Sequence, residues 1–454
     1  MNKTKQEENK KLEIFSKAPV PKAVLVNAVP AMVVQIMVLI YSMADTFFVG
    51  QVNDAYQLAA VSIAMPVFLV FMAVGSLFGV GGTSAISRSM GEGNYERTKR
   101  ICSFCMWAGL IAGLLLTAVM LIGMDGILGL IGTTANTEDY TRKYLTIVSL
   151  CGPFVVISNC FSNIIRAEGQ SAKAMIGQTA GNLINFVLDP IMILALNWQI
   201  TGAAIATVIG NAFAAFYYLA YFARGKSKLS ISPKYFKTGD GVASSVLAIG
   251  IPAAIGFILM SLATIVLNAR MSGYNDMAVA GVGVACKIAY MTSALAMGLG
   301  QGVQPLFGYC VGARMWDRYR KCFRFAFFFS LLLSGGLAVI CLIATKPIVC
   351  LFLADADAII YGVRFSRILL STSALVGVLY VLIYAMQAMG AAKASFFVNL
   401  SRQGIIYIPL LFILQSMWGI NGLVWAQPVA DLVMLIVSGI LLTKLVKEKA
   451  KETV

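Results

Sequence analysis

A chain of 454 residues that is 59% hydrophobic and only 12% charged is too apolar for an ordinary soluble domain, where about a quarter of residues are charged. Its net charge of +15 has the sign of a nucleic-acid binder, but the placement of the cations, described below, follows a membrane instead. There is no histidine, which removes the commonest metal ligand and general base and argues against an enzyme, and the nine cysteines form no CxxC pair and read as small buried hydrophobes.

The basic tail MNKTKQEENKKLEIFSK leads into a full-length apolar run rather than a short signal-peptide core, so no cleavable signal is expected. Twelve runs of membrane-spanning length follow, over residues 23–49, 56–80, 101–124, 144–165, 174–196, 202–222, 243–269, 277–300, 325–345, 368–386, 394–415 and 419–443. With the N-terminus placed inside, most of the 35 Lys and Arg fall in the two tails and the loops on the same side. That asymmetry predicts both termini in the cytoplasm of a multi-pass protein of the plasma (inner) membrane. It also accounts for the net charge without nucleic acid.

The chain reads twice. VPAMVVQ from Val29 matches IPAAIGF from Ile251, and Asn53-Asp54 matches Asn275-Asp276. GVGG from Gly79 matches GQGV from Gly300, MGEGNYERTKR from Met90 matches VGARMWDRYRK from Val311, and WQITGAAIATVIGN from Trp198 matches WGINGLVWAQPVAD from Trp418. The offset stays within 219–222. The expectation is therefore an all-α polytopic membrane protein with twelve transmembrane helices in two pseudo-symmetric six-helix lobes. Residues 1–222 form the N-terminal lobe, 223–240 a basic cytosolic linker and 241–454 the C-terminal lobe. An even number of spans per half makes the repeats parallel, and two such lobes facing one another form a central cavity whose rocking gives alternating access.

Three carboxylates fall well inside predicted spans: Asp45, Asp189 and Asp431. Each costs about 2.5–3.5 kcal/mol on insertion scales. At ~1.5 Å per residue, Asp45, Thr207 and Asp189 lie about 6, 8 and 10 Å in from the outer ends of their spans. Tyr41 sits one turn below Asp45 and Asn185 one turn below Asp189. If these spans touch, the five groups suit a proton, because burial and a neighbouring carboxylate both favour the protonated acid. They equally offer a hard-oxygen site for Na⁺ at Asp45, Asn185, Asp189 and Thr207. The plainer alternatives are helix packing beside Pro190 for Asp189 and snorkelling to the interface for Asp45. Asp431 takes the repeat position of Asn211 and pairs with Lys287 or Arg402, or attracts substrate. Pro30 lies within the first span, where it kinks the helix as a fixed bend or a moving one. Its twin Pro252 is kept in the second half, whereas Leu267 stands where Asp45 would be.

Taken together and in order, MADTFFVG, IIRAEGQ, NFVLDP, GAAIATVIGN and GQGVQPLFGYCVGAR resemble the multidrug and toxic compound extrusion (MATE) family over essentially all twelve spans. The last stretch is most similar to the staphylococcal-type multidrug export subgroup. The resemblance implies an antiporter, not an enzyme, that exports organic cations and amphiphilic drugs in exchange for H⁺ or Na⁺. It implies no other cofactor, no ATP and a monomer in the lipid bilayer. It also assigns the coupling site to Asp45, Asn185, Asp189 and Thr207 with Tyr41, the bending proline to Pro30, and a further asparagine to Asn159. The acidic residues that another branch carries in its seventh and tenth spans are absent here. A lipid-linked oligosaccharide flippase of the same superfamily is the nearest alternative. It would need cavity-facing Arg or Lys for pyrophosphate and often has fourteen spans.

Overall fold

The computed structural model describes residues 13–52, 54–225 and 227–451. The first twelve residues of the basic tail, Asn53 of the repeat match, Lys226 of the linker and the last three residues lie outside the described residues. Among the described residues every regular element is helical, as expected where a hydrocarbon environment leaves the backbone to satisfy its own hydrogen bonds.

The first half runs α1 (Val20–Gly50), α2 (Ala55–Gly91), α3 (Tyr95–Ile122), α4 (Met124–Leu130), α5 (Glu138–Leu150), α6 (Gly152–Ala167), α7 (Ser171–Pro190) and α8 (Gln199–Ala223). The second runs α9 (Val242–Ser272), α10 (Asp276–Gly312), α11 (Trp316–Ile343), α12 (Thr345–Cys350), α13 (Ala356–Leu370), α14 (Ser373–Ala388), α15 (Ala392–Leu400), α16 (Tyr407–Trp418) and α17 (Ile420–Lys451). The halves match in detail. α1 and α9 have 31 residues each, α2 and α10 have 37, and α3 and α11 have 28. Asp54 caps α2 by accepting from the Tyr56 amide, and Asn275 caps α10 by accepting from the Met277 amide, each satisfying an orphan N–H of the first turn.

Among the described residues nine helices are long and apolar enough to cross a membrane, or eleven if each bent pair is one span. The bent pairs are α5–α6, at 54°, and α13–α14, at 47°, which coincide with the runs 144–165 and 368–386. α7 falls short of that count. Its 20 residues carry Gln178, Asn182, Asn185 and Asp189, so the helix of the expected ion site is too polar to pass on apolarity.

The halves interlock at one end. The start of α1, at Ala23, Val24 and Ala28, packs into the second half's cluster with Leu299, Val303 and Phe307. Val242 and Val246 of α9 pack into the first half's cluster with Ala85 and Ile86. Two glycines permit this contact. A Cβ on Gly81 would lie 2.2 Å from the Val246 carbonyl oxygen, and one on Gly250 would lie 2.0 Å from that of Leu77. The linker is tied to the first half by Ser103, which donates to the Ser232 carbonyl at 2.8 Å, and by Trp107, which donates to that of Ile231 at 3.0 Å.

Candidate functional site: a carboxylate pair beside a central cavity

The site begins with a close helix crossing. A Cβ on Gly181 of α7 would lie 2.5 Å from the Gly210 carbonyl oxygen of α8, and one on Gly210 would lie 2.6 Å from that of Gly181. The bare backbones thus touch, and Asn185, one turn beyond Gly181, meets Thr207, just before Gly210. Both are buried, at 3% and 6% exposure. In the amide orientation that satisfies both ends, the Asn185 oxygen accepts from Thr207 Oγ1 at 3.3 Å and from its backbone N–H at 3.0 Å. The Asn185 Nδ2 then donates to Asp189 Oδ2 at 3.3 Å. Asn211 donates to the Thr207 carbonyl at 2.9 Å and accepts from Ser158 of α6 at 3.2 Å, which extends the network to a third helix.

Asp189 is fully buried beside Pro190, where α7 passes into a π-helical turn over Ile191–Ala195. Such turns are frequent at functional sites. Asp45 of α1 is its charged neighbour. Asp45 Oδ1 and Asp189 Oδ1 are both buried without a hydrogen-bond partner among the described residues. A buried carboxylate oxygen left without a donor is costly, and a proton or a sodium ion would satisfy both. Tyr41 lies beside Asp45 and Asp189. Among the described residues no group of three or more His, Cys, Asp or Glu could hold a metal ion, so a sodium site here would rest on two carboxylates, an amide and a hydroxyl.

The structure therefore brings Tyr41, Asp45, Asn185, Asp189 and Thr207 together and adds Tyr144, which the sequence did not mark. Tyr144 is buried on α5 among Tyr41, Asp45 and Asp189. Asn159 makes its hydrogen bonds to other groups. It accepts from Ser76 at 3.5 Å and from Asn163 at 3.3 Å, and donates to the Met72 carbonyl at 3.4 Å.

Between the halves lies a cavity of about 1180 Å³. Phe47, Ile348, Leu351 and Phe352 stand at one end, and Gln35, Ser76, Arg166 and Gln301 at the other. Its wall includes Met and aromatic side chains from both halves, such as Met65, Met72, Met260, Tyr290 and Tyr380, surfaces that adapt to varied ligands. Tyr41 and Asn159 line it, but Asp45, Asn185, Asp189 and Thr207 do not. The carboxylate pair sits behind the cavity wall of the first half rather than in the cavity.

Asp431 does line the cavity, and its partner is Arg402 rather than Lys287. Arg402 Nε lies 2.9 Å from Asp431 Oδ1, while Gln427 donates to Oδ2 at 3.1 Å. Arg402 belongs to a second π-helical turn, Ser401–Ile405, and its guanidinium lies 4.7 Å from the Tyr380 ring centroid. Both Asp431 oxygens thus have a partner within the wall.

The closed end is a layer of polar contacts between halves. Gln301 accepts from Gln35 at 3.1 Å and from Arg166 at 3.0 Å. Arg88 donates to the Ala388 carbonyl at 3.1 Å, and Ser84 donates to that of Gln387. Gln301 falls within the GQGV repeat motif and Arg166 within IIRAEGQ, the sequence signals that pointed toward this layer.

Comparison with known proteins gives one consistent picture. The MatE family model matches residues 30–191 and again residues 252–413, two stretches of equal length. The multidrug export protein MepA of Staphylococcus aureus (strain MSSA476) is 31% identical over 430 residues, covering 93% of each chain. MepA of Staphylococcus haemolyticus (strain JCSC1435) is 29% identical over 425 residues, covering 94% of each. The fold is shared with the outward-facing conformation of a multidrug resistance MATE family transporter of the MOP superfamily. That structure has a TM-score of 0.92 and 21% identity, and the match covers 97% of this chain and 99% of that one.

Proposed function

The chain belongs to the MatE family of multidrug efflux transporters, and on that premise we propose that it exports organic cations and amphiphilic drugs by alternating access in exchange for H⁺ or Na⁺. Its relatives are membrane transporters rather than enzymes. In this reading two six-helix lobes, residues 1–222 and 241–454, rock about the cavity, with both termini in the cytoplasm and the linker 223–240 on that side. The chain acts as a monomer, and export runs without ATP, since the sequence carries no GxxxxGK[ST] loop.

The observation that carries the proposal is the pair of unpartnered buried oxygens on Asp45 and Asp189, set one helix layer behind a cavity closed at one end. An ion entering the pair halves its charge and changes how α1 packs on α7, where Phe48 and Phe186 meet edge-on at 6.3 Å between ring centroids. Because α1 also lines the cavity through Tyr41 and Phe48, ion occupancy and cavity shape share one helix. Pro30 within α1 supplies a place for that helix to bend. The second half lacks the pair, with buried Leu267 at the matching place.

A flippase reading is weaker. Pyrophosphate calls for clustered free cations, and here Arg402 is neutralised by Asp431 while Arg166 is held at the closed end. The test is dye export from everted membrane vesicles. Export should persist without ATP and stop when the H⁺ and Na⁺ gradients are both dissipated; export that follows ATP alone would overturn the antiport reading.

A further inference from the structure

Four charged side chains line the cavity: Arg166, Lys287, Arg402 and Asp431. Three are committed. Arg402 and Asp431 neutralise one another at 2.9 Å. Arg166 is 3% exposed and held at the closed end by Ser162 at 2.7 Å, Gln301 at 3.0 Å and Asn163 at 3.4 Å. Lys287 differs in every respect. It is exposed, lies well inside α10, and makes no ion pair among the described residues. No acid of the cavity wall remains for it, because Asp431 has both oxygens engaged and Asp45 and Asp189 lie behind the wall.

A lysine in a membrane span is costly unless it faces water or a partner, and such residues mark ligand paths. Tyr290 and Met291, three and four residues on, share its helix face and also line the cavity. They place an aromatic and a thioether surface beside the amino group. A purely cationic ligand finds no free carboxylate in this wall, whereas an acidic group finds Lys287.

We propose that Lys287 receives an acidic group of the substrate, so that the cavity takes ring-bearing amphiphiles with a carboxylate, zwitterionic or anionic, in preference to otherwise identical molecules without one. This rests on the export reading above and, of the two substrate classes named there, favours amphiphiles that carry an acid over purely cationic molecules.

A matched pair of dyes tests it: rhodamine B, which carries a free carboxylate, and its ethyl ester, which does not. Binding is measured by fluorescence polarisation on the purified protein, and export is measured separately in vesicles. Wild type should bind the acid more tightly than the ester. Lys287→Gln should weaken acid binding by about fivefold, the scale of one solvent-accessible ion pair, and leave ester binding unchanged. Lys287→Glu should reverse the preference, and Lys287→Arg should restore it, which also controls for folding. An acid-to-ester ratio that is the same in wild type, Lys287→Gln and Lys287→Glu, or a wild type that prefers the ester, overturns the assignment. A protein that shows the predicted binding ratios but exports neither dye overturns the export reading while leaving Lys287 as the acid-binding group.

Discussion

Arg402 Nε lies 2.9 Å from Asp431 Oδ1 in the cavity wall, with the two side chains only 11% and 4% exposed. Among the described ion pairs it is the most buried. Removing one partner of such a pair strands the other charge, at a cost of about 3–5 kcal/mol. Asp431→Asn alone should therefore lower the thermal unfolding temperature in detergent markedly. The double variant Asp431→Asn with Arg402→Gln should recover much of the loss. A double variant as unstable as the sum of the two singles would mean that the groups act independently.

Asn185 and Thr207 hold Asp189 through the contact made at the Gly181–Gly210 crossing. Asn185→Leu and Thr207→Val should each raise the ion concentration needed for half-maximal export. Asn159→Leu should leave that ion dependence unchanged, because Asn159 bonds only to Ser76, Asn163 and Met72 among the described residues. The measurement is initial dye efflux against external ion concentration.

The closed end depends on bare backbone. Gly250→Val places a side chain where even a Cβ would lie 2.0 Å from the Leu77 carbonyl oxygen. Overpacking of this kind costs about 1–3 kcal/mol, and here the cost falls on the arrangement in which the halves meet. A cysteine introduced at Ser84, which lies in the contact layer, should become more reactive to an impermeant maleimide in the Gly250→Val background. Unchanged reactivity would show that this end is not a moving gate.

Pro30 interrupts α1 fifteen residues before Asp45. If that helix bends during transport, Pro30→Ala should slow turnover while leaving dye binding to the purified protein intact. Unaltered turnover would make the proline a fixed feature of the helix.

Much of this was legible in the sequence, and the shortfalls have physical causes. Apolar runs located the helices, α7 included within the run 174–196, although Gln178, Asn182, Asn185 and Asp189 leave it less apolar than the nine long helices. Depth along a helix put Asp45, Asp189 and Thr207 at similar heights. Depth carries no azimuth, so it could not say that the group faces the interior of the first half rather than the cavity. Tyr144 escaped notice because a tyrosine within an apolar run reads as an ordinary packing residue. Arg402, the partner of Asp431, lies in the π-helical turn at Ser401–Ile405, which the sequence did not signal.

The central claim is that ion occupancy of the Asp45–Asp189 pair drives export. The most direct measurement is uptake of a fluorescent amphiphile by proteoliposomes under an imposed pH gradient, an imposed Na⁺ gradient and neither. Wild type should respond to at least one gradient and show only leak with neither. Asp45→Asn and Asp189→Asn should stay at leak under all three conditions while eluting as folded monodisperse protein. Gradient-driven uptake at wild-type rate in both variants would contradict the account.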